Sequence, residues 1–221
     1  IARENAKPNA VGYASKDIAD SIWMAVPVQF QDVGSSGAAF SFLKFFDCKN
    51  LVPGQYGTYG ELLPGAPVAQ IPNEDQACSY TMYYYIVDAY ETDGITPHEG
   101  ACWADEYGYV LPDTAMVTLG KGFWFRAQCA GAGRTTAGQV LDGDTATLTP
   151  KAEFWAMLAN PFPTPMSLAT AVTTGITPGS YGMRGETLEF APVIQVPNED
   201  EACSYTSYYY INDAYETDGI T

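Results

Sequence analysis

The sequence predicts an all-β protein of two tandem modules of the β-sandwich or jelly-roll kind, each with at most one short helix and the second truncated. Three observations carry this reading: a long internal repeat, runs of aromatic and β-branched residues at strand period, and Gly/Pro turns at short spacing. The repeat is the strongest. Residues 66–96 read APVAQIPNEDQACSYTMYYYIVDAYETDGIT, and residues 191–221 read APVIQVPNEDEACSYTSYYYINDAYETDGIT. The offset is 125 residues, Ala66 against Ala191, and five of the 31 positions differ. Upstream, VPGQYGTYGELLPG at 52–65 faces TPGSYGMRGETLEF at 177–190. Further back the offset becomes 132, with Trp23 against Trp155, so repeat one carries an insertion around FQDVGSSGAAF at 30–40. The chain therefore divides into an N-terminal arm over 1–8, repeat one over 9–138 and repeat two over 139–221. Residues 97–138 have no counterpart in repeat two.

Strand patterns come next. Residues 79–87 (SYTMYYYIV) place Tyr80, Met82, Tyr84 and Ile86 on one face and Thr81, Tyr83, Tyr85 and Val87 on the other, the alternation of a strand rich in strand-favouring side chains. Residues 116–119, 122–127 and 145–149 read the same way, with Gly-Lys-Gly at 120–122 and Asp-Gly-Asp at 142–144 as turns. Residues 72–76 (PNEDQ) turn the chain from a strand over 68–71 into the Tyr-rich one. The helix candidates are residues 36–46 (SGAAFSFLKFF) and a shorter copy at 167–173.

Composition narrows the function classes. Hydrophobic residues are 47% and aromatic residues 14%, enough for a packed core. Charged residues are only 16%, so hydroxyls and amides must cover much of the surface, a habit of secreted β-proteins. The net charge is -16, with ten basic residues in all. That leaves no positive face for nucleic acid or an anionic membrane. No apolar run approaches the roughly 18 residues of a membrane span. The chain opens on Ile1 with no signal peptide in view, as a mature exported chain would and as a trimmed piece of a longer one would too. The expected location is extracellular or at the cell surface.

The layout resembles a class of secreted bacterial tandem-repeat proteins. The motifs are Ala10-Val11-Gly12-Tyr13 and Ala137-Gly138-Gln139-Val140 as repeat openings, then the 155–162 strand with Pro178-Gly179 after it, then Ile194-Gln195-Val196 with Tyr208–Tyr210, and Gly120 to Phe125. The resemblance implies an exported surface or extracellular protein and carries over no catalytic residue.

Five cysteines and a single histidine leave no plausible zinc set. Disulfides in an oxidising compartment are the expectation: Cys78 with Cys102 across the Tyr-rich hairpin, Cys48 with Cys129 as a second pair, and Cys203 free or bonded to another subunit. Asp88, Glu91 and Asp93 ahead of Gly94, recurring as Asp213, Glu216 and Asp218, are candidate calcium ligands, set against a solvated acidic hairpin end. Tyr83 and Tyr85, with their copies Tyr208 and Tyr210, are expected to present an aromatic platform for a protein interface or for sugar rings, set against a plain buried strand. An enzyme is not expected. Gly131 to Arg134 lacks a following helix and reads as a loop rather than a dinucleotide site. His98 has no nucleophile in an activating motif. The carboxylate pairs Glu61 with Glu186 and Glu74 with Glu91 are the glycosidase candidates, but repeat equivalents such as Glu61 and Glu186 face separate sites. The expectation is a structural protein that assembles with copies of itself into a filament, tube or surface layer, with strand exchange through the arm from Ile1 to Tyr13 set against a natural chain that continues past Thr221 and closes the second module itself. The alternative is a polysaccharide-binding or adhesion module. No cofactor beyond a candidate calcium is expected.

Overall fold

The structure, a computed structural model, describes residues 11–18, 23–31, 39–55, 66–73, 76, 79–127, 132–141, 146–149, 156–162, 165–168, 176–179, 191–198, 204–212 and 214. The protein is all-β. Its strands run β1 Val11–Ile18, β2 Trp23–Pro27, β3 Ala39–Ser41, β4 Asp47–Lys49, β5 Val68–Pro72, β6 Tyr80–Ile86, β7 Cys102–Ala104, β8 Met116–Thr118, β9 Gly122–Arg126, β10 Ala132–Gln139, β11 Val193–Pro197 and β12 Tyr205–Tyr209. Among the described residues one α-helical turn, α1 Phe42–Phe45, interrupts them. No helix among the described residues is long and apolar enough to cross a membrane. The chain forms two compact units, Ile1–Pro165 and Met166–Thr221. Residues 139–165, which the repeat assigns to the second copy, lie in the first compact unit.

In the first unit the central element is a five-stranded antiparallel sheet, ordered β2-β9-β5-β6-β7. A three-stranded sheet, β1-β10-β4, and a two-stranded one, β3-β8, complete it. Both faces of the central sheet are covered. On one face Val26, Ala69, Tyr83, Trp103, Phe123 and Phe125 meet the α1 phenylalanines in a single apolar cluster. On the other, Val68, Tyr84, Ile86 and Ala104 form a second cluster with Trp23 and Met82 against them. A strand buried on both faces has no need of polar alternation, which explains the near-continuous aromatic run in β6.

Phe42 is the hub. It is fully buried. Its ring lies 5.5 Å from Phe46, 5.1 Å from Tyr83, 5.2 Å from Trp103 and 5.7 Å from Phe123. Three of these contacts are edge-on, the arrangement aromatic quadrupoles favour. Opposite, the Arg126 guanidinium sits 5.1 Å above the Trp23 ring and ties β9 to β2.

Three segments differ from the sequence expectation. Residues 36–46 are not one helix: Ala39–Ser41 pairs with Met116–Thr118, and only Phe42–Phe45 turns helically. A short apolar run has no period that separates the two states, and the neighbouring strand decides. Residues 132–134 are strand, not loop, because β10 pairs β1 over its whole length and β4 beside it. Residues 146–149 carry no strand. The arm is also partly used: Val11, Gly12 and Tyr13 pair in cis with Gln139, Gly138 and Ala137, so they are not free to extend to a neighbour. Residues 1–10 lie outside the described residues.

Phe42→Ala removes the ring that four others pack on, and large-to-small core changes of this kind cost about 3–5 kcal/mol. Urea unfolding is expected to show a loss in that range. A loss under about 1 kcal/mol would mean that the aromatic cluster does not organise this unit.

Candidate functional site

The β5–β6 hairpin and its repeat copy, β11–β12, are the most informative pair of surfaces in the protein. Each is built by the same local devices. Asn73 at the end of β5 donates from its amide to the Ser79 hydroxyl at 2.9 Å and accepts from the Thr81 hydroxyl at 2.8 Å. In the copy Asn198 does the same with Ser204 at 2.8 Å and Thr206 at 2.9 Å. The registers also agree: Val68↔Tyr84 recurs as Val193↔Tyr209, and Pro72↔Tyr80 as Pro197↔Tyr205.

A single bridging glycine lies beside each hairpin. Gly54 donates to the Tyr85 carbonyl at 2.9 Å and accepts from the Val87 amide at 3.1 Å. Gly179 repeats this with Tyr210 at 2.9 Å and Asn212 at 3.0 Å. Both glycines are required by close approach. A Cβ on Gly54 would stand 2.6 Å from the Ala66 Cα, and one on Gly179 would stand 2.7 Å from the Ala191 Cα.

The environments differ sharply. In the first unit β5 is flanked by β9 and β6 by β7. In the second, β11 and β12 pair with each other and with no further strand among the described residues. Tyr83 is 9% exposed and its copy Tyr208 51%; Ala69 is fully buried and its copy Ile194 is 46% exposed. Tyr209, Tyr210 and Val196 are exposed as well.

The expected Tyr platform is therefore split. Tyr83 is core, packed edge-on against Phe42. Burial, with the Asp105 carboxylate behind it, holds its phenol above the usual range. Tyr85 is half-buried and lies 5.6 Å from the Trp103 ring. Neither presents a platform, because α1 and β7 cover that face. Tyr208 and Tyr210 are the exposed pair.

A different aromatic group is exposed in the first unit: Tyr90, Tyr107 and Tyr109. The Asp105 carboxylate accepts from the Tyr107 and Tyr109 amides at 2.9 and 3.0 Å, and the Tyr90 amide donates to the Gly108 carbonyl at 2.9 Å. The sequence did hold a signal, since Asp105-Glu106-Tyr107-Gly108 is an Asx-turn pattern.

The acidic end of the hairpin does not gather its carboxylates. Glu91 pairs with His98 at 2.8 Å. Asp93 accepts from the Ile95 and Thr96 amides, both at 2.9 Å, and from the Thr96 hydroxyl at 2.6 Å, which holds its carboxyl below the usual range. No cluster of three metal-ligating side chains occurs among the described residues. Asp213, Glu216, Asp218, Glu61, Glu74 and Glu186 lie outside them. A cavity of about 210 Å³ lined by Val28, Ile71, Phe123 and Met157 is smaller than ordinary small-molecule sites, which begin near 300 Å³.

Cys102 is a free thiol, so the expected bridge to Cys78 is not formed. The register gives the reason. Cys102 stands opposite Ile86, at the far end of β6 from Tyr80. At about 3.3 Å per residue that end is roughly 20 Å away, and the two residues back to Cys78 span at most about 7 Å. A disulfide needs Cα atoms within about 7 Å. Cys78, Cys129 and Cys203 lie outside the described residues, as does the Cys48 side chain.

No protein-family model, curated protein or solved structure matches the chain.

Desolvation, reinforced by the Glu91 charge, pushes the Cys102 thiol up to about 11. At neutral pH its thiolate fraction is then about a hundredfold below that of an ordinary cysteine, and site-resolved alkylation is expected to be slower by that factor. The raised value also links to stability. The half-buried neutral thiol contributes fully below its ordinary value of 9.0, and the contribution is lost as pH rises toward about 11. Cys102→Ala is expected to reduce the loss of stability across that window. A non-reduced digest showing Cys102 linked to Cys78 would contradict the register.

Proposed function

We propose that this chain is an exported structural protein, a subunit of sandwich-like β-modules that assembles with its own kind into an extracellular filament, tube or surface layer. The observation that carries the reading is the exposed β11–β12 hairpin: Ile194, Tyr208, Tyr209 and Tyr210 are exposed, whereas Ala69, Tyr83 and Tyr84 of the near-identical first copy are buried. Exposed strand edges pair with other chains unless charge, proline or a bulge blocks them. Exposed clustered aromatics mark interaction surfaces. An exposed hairpin of this kind suits heterologous contacts, which build open polymers. The sparse charge and the net charge of -16 argue against nucleic acid as a partner. Export, the extracellular location and disulfides among the remaining cysteines belong to the same proposal.

A second reading, polysaccharide binding or adhesion, has its own observation in Tyr90, Tyr107 and Tyr109, exposed together on turns fixed by Asp105. Rings held at low entropic cost suit stacking on sugars.

Electron microscopy and light scattering of the purified chain separate the two. Assembly predicts ordered polymers without ligand, and a double change, Ile194→Ser with Tyr208→Ser, is expected to raise the critical concentration about tenfold or more, the equivalent of 1.4 kcal/mol. A chain that stays monomeric at all concentrations and is retained on a polysaccharide column would replace the first reading by the second.

A further inference from the structure

In the first unit, the turns between β6 and β7 and just after β7 build a small platform of their own. Tyr90 bridges Pro97 on one side, antiparallel, and Tyr109 on the other, parallel. The Tyr90 amide donates to the Gly108 carbonyl at 2.9 Å, and the Tyr90 carbonyl accepts from the Val110 amide at 2.7 Å. On the other side the Glu91 amide donates to the Thr96 carbonyl at 2.7 Å, and the His98 amide to the Ala89 carbonyl at 2.8 Å. Bridged residues carry their side chains on one face of a sheet, about 5 Å apart. Pro97, Tyr90 and Tyr109 therefore stand in a row. All three are exposed, while Ala89 and Gly108, one step along the pleat, are buried. The Tyr109 ring is braced across the next turn: a Cβ on Gly94 would meet its Cε1 at 3.3 Å. Tyr107, 64% exposed, is held beside the row by Asp105, whose Oδ1 accepts from the Tyr107 and Tyr109 amides.

Rings exposed in a row and fixed by main-chain bonds suit a ligand that is apolar on its faces and polar at its edges, which is the character of a sugar ring. The charge around the row narrows the kind of sugar. Residues 50–120 hold no lysine or arginine. The turns that carry the row hold Asp88, Glu91, Asp93, Glu99, Asp105 and Glu106. Their one histidine, His98, is paired with Glu91. Carboxylates this close in the chain act together within a screening length of about 8 Å at physiological salt. A uronic-acid or sulfated chain meets repulsion there. A chain carrying ammonium groups is attracted, both by the carboxylates and by the faces of the exposed tyrosines.

We propose that the row of Pro97, Tyr90 and Tyr109, with Tyr107 beside it, is a binding site for a polysaccharide of amino sugars whose amines are free and charged. The tyrosine faces take the sugar rings, and the surrounding carboxylates select the ammonium groups. This rests on the polysaccharide reading and deepens it by naming the class of sugar. It uses no residue of β11–β12, so it holds for an assembled chain as for a single one.

The test titrates the full chain by calorimetry with a β-1,4-linked glucosamine oligomer, at a mildly acidic pH where its amines are charged, and with the same oligomer fully N-acetylated. Saturable binding of the charged oligomer is expected, at least about tenfold tighter than that of the acetylated one. The difference is expected to shrink severalfold in about 1 M salt, where the screening length falls to about 3 Å. Tyr90→Ala and Tyr107→Ala are each expected to weaken binding about tenfold, while Tyr107→Phe, which keeps the ring, binds like the parent chain. Equal binding of the two oligomers, lost in Tyr107→Ala, would overturn the amino-sugar assignment and leave the polysaccharide reading in place. Undiminished binding by both alanine variants would overturn the site. Binding of neither oligomer, nor of an uncharged glucan, would sink this proposal together with the reading it rests on.

Discussion

A two-stranded hairpin is marginal in water, because its ladder and its one apolar face return too little for the backbone entropy it fixes. That constraint organises this molecule. In the first unit the β5–β6 hairpin is taken up on both edges and both faces, by β9, β7, the α1 phenylalanines and the second apolar cluster. The turn devices are local and identical in the copy: the Asn amide bridge and the glycine at close approach to an alanine. They set the hairpin's shape. Its cover is supplied by residues far along the chain, and among the described residues the second hairpin has the shape without further paired strands.

Much of the first unit's character follows from how tightly the cover fits. Phe42 contacts rings from β6, β7 and β9 at once, so three strands are referred to a single side chain. The double burial of the sheet decides the fate of polar atoms within it. The Tyr83 phenol and the Cys102 thiol are both held in their neutral forms by desolvation, with Asp105 and Glu91 adding to the effect. The same charges also shape the neighbouring turns: Asp105 anchors Tyr107 and Tyr109, and Glu91 holds His98. The corner at residues 120–122 depends on Gly120, whose φ of +77° suits glycine. The far side of that corner is hydrogen-bonded to residues 157–159: Gly122 donates to the Met157 carbonyl and Ala159 donates to the Gly120 carbonyl, both at 2.8 Å. This contact places the beginning of repeat two by sequence within the first compact unit.

What was legible in the sequence was whatever depends on local pattern. The all-β class, the β5–β6 and β11–β12 hairpins, the Pro-Asn turn and the strands at 116–118 and 122–126 follow from alternation and turn chemistry. What was not legible depends on partners distant in the chain. Residues 39–41 become strand only because β8 lies beside them, and residues 132–134 because β1 and β4 do. The position of Cys102 opposite Ile86 is a matter of register, which spacing between cysteines does not reveal. Tyr83 and Tyr208 lie in near-identical local sequence, with Met82 against Ser207 beside them, and have opposite exposure. That single change does not announce the difference in exposure, because the ring that covers Tyr83 is Phe42, far along the chain.

The central claim is that near-identical sequences occupy two environments in the same chain, largely buried in β5–β6 and largely exposed in β11–β12. Amide hydrogen exchange on the dilute, monomeric chain tests this most directly, because peptides from the two hairpins differ at few positions and share intrinsic exchange rates. The account predicts that amides of β5 and β6 open only with the first unit as a whole, while those of β11 and β12 exchange at least about a hundredfold faster, as expected of a locally fraying hairpin. Equal protection of the two hairpins in the monomer would contradict it.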